Sequence, residues 1–460
     1  MDTLKLLVTG CVLAGCAVPA AAQTSLSIYT DGRVVVRRSL PQPLEKGRNT
    51  LTLKLDGLDP TTLFSPDTGV GLVTAVLRPA SERAPALESA VGQTLTFVRG
   101  KGDTLRATVV RVSPPQYRLS DGRFLLSEPG EPVVPAEVVR TAPEATVTLE
   151  AARARPRTEL AYVVDGGARW AATYQVLLAG ARCQVSGSAT VTSQSLRADS
   201  AEVQLVAGSI NRAAPEPRPS YAARAVPQLA MVTADGGAAT EQAVGETHVY
   251  DLPGRLSLVA ATPVTTALFP RTSVAYGREY VVPGVMPWRG FLGQSPAESD
   301  RVPVQVWYTL KRGRGTTFGD RPLPGGTVTL YQADSSGRVE LVGEARTDHT
   351  APGRDLRVLS GAAFDVTAER VQTDYSQEQL APARRGVAPR QRVTASYKVT
   401  LANAKPEAVT VDVREARFGV WRVVESSLPA EKLSATEVRF RVQVPANGDA
   451  TLTYTLQAES

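Results

Sequence analysis

The sequence predicts an all-β protein built from several antiparallel β-sandwiches. Three observations carry that expectation. Apolar and polar residues alternate in run after run, the spacing that puts every second side chain on one face of a strand. The 37 glycines and 33 prolines punctuate those runs, as a chain with many turns requires. No window of about 12 residues free of both keeps an i, i+3, i+4, i+7 apolar stripe better than it keeps the alternation.

At roughly 150 residues per domain, 460 residues predict two to four domains with sizeable cores. A hydrophobic share of 43% against 21% charged suits a folded chain rather than a disordered one. The net charge of +6 is carried by arginines set singly between apolar residues, as in Val438-Arg439-Phe440-Arg441-Val442. Alternate strand positions face solvent, and no basic run is interleaved with aromatics, so nucleic acid is not an expected partner.

Residues 1–22 read as a signal peptide: Lys5, an apolar run from Leu6 to Val18, then Ala20-Ala21-Ala22 before Gln23, a cleavage pattern between Ala22 and Gln23. Leu13-Ala14-Gly15-Cys16 is also a lipobox, in which Cys16 would be acylated, and the two processing routes stay open. The predicted location is the periplasm or the outer membrane, or outside the cell, with membrane contact only through such a lipid anchor. Later in the chain only Cys183 remains, alternating with Val185 as a buried thiol would, so a chain cut after Ala22 has no internal disulfide to form.

Leu26 to Tyr29, the Asp31-Gly32 turn, Arg33 to Arg37 and Leu51, Leu53, Leu55 predict a β unit over 23–85. Short strands around Gly100-Lys101-Gly102-Asp103 and Asp121-Gly122 predict a small SH3/Sm-like barrel over 86–140. Sandwich strands follow over 145–211, with Trp170 and Tyr174 as a core aromatic pair. The Ala-, Pro- and Gly-rich stretch 212–247 has no periodicity and reads as a disordered insertion.

The sandwich resumes over 248–375, centred on Leu323 to Tyr375. There Val328 and Leu330 lead through Ala333-Asp334-Ser335-Ser336-Gly337 to Val339 and Leu341, which is a hairpin. Leu356 with Val358 and Phe364 with Val366 continue the alternation, predicting about four strands in one antiparallel sheet. A mobile loop is expected at 376–392. Residues 393–460 then alternate most cleanly, at Val393 to Leu401, Val409 to Val413, Val438 to Val444 and Leu452 to Leu456, an immunoglobulin- or fibronectin-like set of strands.

Several stretches resemble a family of exported bacterial proteins of unknown function, some labelled mucoidy-inhibitor-like. They are Trp170 to Tyr174, Leu205 to Asn211, Leu323 to Gly326, Val342 to Glu344 with Asp348 to Thr350, Gly361 to Val366, and Pro445 to Gly448. The resemblance runs from Leu26 to Leu456 and implies a β-rich exported protein, with no activity, cofactor or catalytic residue attached. The coiled-coil insert of some relatives has no counterpart in this sequence.

Chemistry is sparse. There is no G-x-S-x-G elbow, HExxH, paired CxxC or EF-hand loop, and His248 and His349 are the only imidazoles. His349 beside Asp348 reads as a turn residue in preference to a metal ligand, because a zinc site needs three or four ligands. Glu344, Asp348, Asp365 and Glu369 fall within one β unit as the carboxylate candidates, and Glu344, Asp348 and Asp365 with His349 form the weak candidate site. No cofactor is expected. The sequence therefore predicts a non-enzymatic envelope protein that binds a protein or a polysaccharide, with a carboxylate-dependent glycan hydrolase and a structural lipoprotein as alternatives.

Overall fold

The computed structural model describes residues 24–55, 57–136, 139–208, 210, 232–233, 239–284, 294, 300–380 and 390–459. The chain is all-β. One α-helix, Arg83–Ser89, stands among the described residues, and none is long and apolar enough to cross a membrane.

Two large cores and one small one organise the strands. In the first sandwich a six-stranded sheet runs, edge to edge, through Glu159–Val164, Val34–Ser39, Thr24–Tyr29, Ala198–Ala207, Thr247–Leu258 and Thr240–Val244. The central pair, Thr24–Tyr29 with Ala198–Ala207, is parallel. The expected N-terminal unit at 23–85 is therefore not separate: its first strands share a sheet with strands from the following unit. Facing it, a larger sheet carries Val339–Thr347, Gly326–Ala333, Ala168–Ala179, Arg182–Ser193 and Pro263–Val282. Leu26, Ile28, Tyr174, Val185 and Leu330 meet in the core between the sheets. Trp170 and Tyr174 are both buried core residues, but each packs against a different ring, Trp170 against Tyr250 and Tyr174 against Phe269.

Alternation explains each face. Along Arg182–Ser193, Cys183, Val185, Ala189 and Val191 point inward and Gln184, Ser186, Ser188 and Thr190 outward. At the inward position between Val185 and Ala189, only glycine fits: a Cβ on Gly187 would sit 2.3 Å from the Phe269 ring.

Pro263–Val282 belongs to both sandwiches. Its first part pairs with Arg182–Ser193, whereas Tyr276 to Val281 pair with Gln305–Leu310 and Tyr280 to Val282 run parallel to Val411 to Val413. The second sandwich sets Val409–Ala416 and Glu437–Val444 against Val366–Leu380, Arg390–Asn403, Gly448–Glu459 and Val420–Ser426, around Val399, Leu401, Phe440 and Leu456.

The small unit has its own core of Leu87, Leu95, Phe97, Val109 and Tyr117. Its helix escaped the sequence reading because it is only seven residues long, with Pro85 in the first turn, where proline is tolerated. Its five strands form an open sheet with Phe124–Leu125 and Glu131–Val133 at the two edges, rather than a closed barrel. The unit is inserted between Val70–Arg78 and Glu144–Ala151, which are themselves hydrogen-bonded neighbours.

Other expectations are corrected. Leu356–Ala362 joins the sheet of Gly326–Ala333 and Val339–Thr347 through Gln305–Leu310, whereas Val366–Leu380 pairs with Arg390–Asn403, so three of the four strands of the 323–375 stretch share a sheet and the fourth lies in another. Phe364, expected in a strand, is 94% exposed between them. The loop expected at 376–392 extends a ladder, from Ser376 opposite Thr394 to Leu380 opposite Arg390; residues 381–389 lie outside the described ones. Within 212–247, Val232–Thr233 pairs beside Val264 and Thr265, and Thr240–Val244 forms an edge strand; most of the rest of that stretch lies outside the described residues, as do Cys16, Ala22 and Gln23.

Candidate functional site

The acidic candidates do not converge. Glu344 stands opposite Thr329 in the hairpin of the first sandwich, exposed. Asp365 pairs with Lys405 at 3.2 Å, and Glu369 lies 3.9 Å from Arg301, both in the second sandwich. Asp348 is exposed in the turn after the hairpin, where its carbonyl accepts from the Thr347 and Thr350 hydroxyls. Among the described residues no hydrogen bond joins any two of these carboxylates.

His349 has a different outcome. It lies with His248 on the wall of one cavity of about 310 Å³, lined also by Gly208, Glu246, Tyr250 and Pro324. The two imidazoles are the only ones in the chain. His248 comes from Thr247–Leu258, in register with Ala207. His349 comes from the segment held to Leu323 by reciprocal Leu323–Thr350 backbone bonds, each 2.9 Å.

Two buried tyrosines fix the wall between them. Tyr250 Oη donates to the Pro322 carbonyl at 3.1 Å, and Tyr174 Oη donates to that of Pro324 at 2.7 Å. Burial pushes both phenols well above their ordinary pKa, so they remain protonated donors across the physiological range. Prolines 322 and 324 cannot donate backbone bonds, and their carbonyls are what the tyrosines hold.

Hydrogen bonds set what the imidazoles can do. The Gly325 N–H donates to His349 Nδ1 at 3.1 Å, which puts the ring's proton on Nε2. His248 Nδ1 lies 2.7 Å from Glu241 Oε1, so that nitrogen carries a proton and Nε2 is left as the acceptor of the neutral ring. A metal would need the lone pair of His349 Nε2, and that tautomer is the one the Gly325 bond opposes. Among the described residues no group of three or more His, Cys, Asp or Glu could hold a metal ion. Cys183 is fully buried in the first core, its thiol pushed up to about 11 by burial. The cavity thus offers a donor at His349, an acceptor at His248 and the exposed carboxylate of Glu246, a set that suits a group able both to donate and to accept.

No protein-family model and no curated protein matches the chain.

Sequence reasoning singled out His349 and passed over its pairing with His248. No spacing signal could have found it, because His248 lies on a strand of one sheet and His349 in the turn after a hairpin of the other. A second constellation also escaped: Arg370, Glu415, Arg417 and Tyr454 meet inside the C-terminal sandwich.

Proposed function

We propose that the chain is an exported cell-envelope protein that works without catalysis, a scaffold binding an envelope polysaccharide through hydroxyl groups in the cavity between His248 and His349. One observation carries the reading: each imidazole has its Nδ1 engaged locally, leaving one Nε2 donor and one Nε2 acceptor for a ligand. A sugar hydroxyl supplies both complements, and the nearby Glu246 carboxylate accepts a further hydroxyl while disfavouring an anion. The spread of Glu344, Asp365 and Glu369 over two sandwiches supports binding over carboxylate-pair hydrolysis, which needs two carboxyls about 5–9 Å apart. Three stretches of the family resemblance contribute to the same cavity, through Ala207 and Gly208, Leu323 and Pro324, and His349 and Thr350, and membership of that exported family belongs to the same proposal.

Calorimetric titration with neutral oligosaccharides released from envelope polysaccharide tests it. Wild type should bind with no release of reducing ends. His349→Phe and His248→Phe should each weaken binding about tenfold, the worth of one hydrogen bond of roughly 1.4 kcal/mol. Unchanged affinity in both variants, or turnover by wild type, overturns the proposal. Palmitate labelling of wild type and Cys16→Ser separates the two processing routes: label on wild type alone means a lipoprotein, and label on neither means release after Ala22.

A further inference from the structure

The outward face of the large sheet carries a second surface. Cross-strand registers place Gln184 beside Leu177, Leu177 beside Tyr331, and Tyr331 beside Leu341. This row crosses four strands, roughly 14 Å at the usual strand spacing. Two residues along, Gln175 stands beside Ser186, whose Oγ donates to Gln175 Oε1 at 3.3 Å, while Gln175 Nε2 reaches Ser188 Oγ at 3.4 Å. The amide is held before any ligand arrives.

A bulge adds a charge. Val185 pairs with Thr272 and Gly187 with Phe269, so Pro270 and Arg271 together stand opposite Ser186. Phe269 is drawn inward over Gly187, and the extra residue leaves Arg271 on the outer face, the kind of re-aiming that bulges produce. Arg271, Gln184, Ser186, Gln175 and Tyr331 line a groove of about 300 Å³, with Leu177 and Val339 as its apolar part. The lining holds one cation and no anion, and among the described residues Arg271 has no hydrogen-bond or ion-pair partner.

We propose that this groove binds a saccharide bearing a carboxylate. The Tyr331 ring, with Leu177 and Val339, suits the C–H face of a pyranose, and Gln175, Gln184 and Ser186 suit its hydroxyl rim. The guanidinium of Arg271 supplies the one group that a neutral sugar leaves unused, a fork matching a carboxylate in geometry and charge. The groove is separate from the histidine cavity and draws on the preceding reading only for the broad class of ligand.

The test uses the full mature chain with two probes of equal shape, oligogalacturonate and its methyl ester, followed by calorimetry at low salt. The acid should bind at least about tenfold more tightly than the ester, equivalent to about 1.4 kcal/mol. Arg271→Ala should lower affinity for the acid to that for the ester and leave the ester unchanged. Tyr331→Ala should weaken both, and His349→Phe neither. Because Arg271 and Tyr331 lie on the outer face, an unchanged urea midpoint would show the variants folded. Equal binding of acid and ester, no binding of either, or a silent Arg271→Ala overturns the proposal. Loss of acid binding in His349→Phe with Arg271→Ala silent places the saccharide in the histidine cavity, overturning this inference while leaving the earlier one standing.

Discussion

Arg370 Nη2 lies 2.6 Å from Glu415 Oε1 inside the C-terminal sandwich. Arg417 Nη2 approaches the other carboxylate oxygen at 3.0 Å, and Tyr454 Oη donates to Oε1. The Arg370 guanidinium also stacks over Tyr397, 4.2 Å from its centroid. Burial is the largest single influence and works against the Arg370 charge, yet Glu415 together with Tyr454 and Tyr397 outweighs it and leaves the guanidinium pKa raised. Glu415→Ala would strand two guanidinium groups in the interior, and it should cost about 3–5 kcal/mol in urea denaturation. Tyr454→Phe removes one neutral donor and should cost less, about 1–2 kcal/mol. If Glu415→Ala changes stability by less than Tyr454→Phe, the ion pair does not hold this core.

Arg312 is fully buried, and among the described residues no carboxylate pairs with its guanidinium. It donates instead to the carbonyls of Phe318, Ala351, Arg354 and Arg321, and so ties two loops together. Arg312→Met keeps the bulk and abandons four carbonyl acceptors, that of Phe318 buried, so the variant should lose about 3 kcal/mol or more. Thermal melting checks this, and proteolysis near 313–322 should accelerate.

The acid response of the same loop follows from Asp355, which accepts from Lys311 Nζ at 2.8 Å and from the Arg312 N–H at 3.0 Å. Those bonds, Lys311 foremost and against a partial burial penalty, hold its carboxyl below the usual range. A depressed folded pKa gives stability that is complete above the ordinary carboxyl value and lost as pH falls through the lower, folded one. The expected window is therefore below about pH 4. Unfolding free energy measured from pH 6 down to pH 2.5 should drop less steeply in Asp355→Asn; an identical slope would rule out this group.

Gly187→Ala places a methyl against the Phe269 ring, 2.3 Å from its nearest carbon. The ring must move within a packed core, at a cost of about 1–3 kcal/mol. Adding Phe269→Leu should return part of that loss, and a double-mutant cycle on melting curves would show the coupling.

Cys183 should resist thiol reagents. With the thiol fully buried and its pKa pushed up to about 11, little thiolate exists at neutral pH. Mass spectrometry of the mature chain should show no iodoacetamide adduct over a time that fully labels urea-unfolded protein.

Much of the second core was readable further than the apolar residues alone suggest. Val409, Val411 and Val413 alternate inward, and the same period reaches Glu415; Val366 and Ala368 lead likewise to Arg370, and Leu452 to Tyr454. Local pattern assigns these charged residues inward positions, but it cannot show that they neutralise one another. The histidines were less legible. His349 sits in a turn and His248 on a strand of the opposing sheet, and neither local context contains the other.

By itself the sequence determined that the chain is β, where most strands run and which side chains each turns inward, because a period of two is a property of a single strand. Turn positions such as Asp31-Gly32, with Gly32 at φ +97, were equally local. Only the tertiary structure decided partners: Thr24–Tyr29 beside Ala198–Ala207, the 323–375 strands divided between two sheets, and His248 across a cavity from His349. Alternating strands present nearly interchangeable edges, so the choice among them is made by the side chains that pack when distant segments meet.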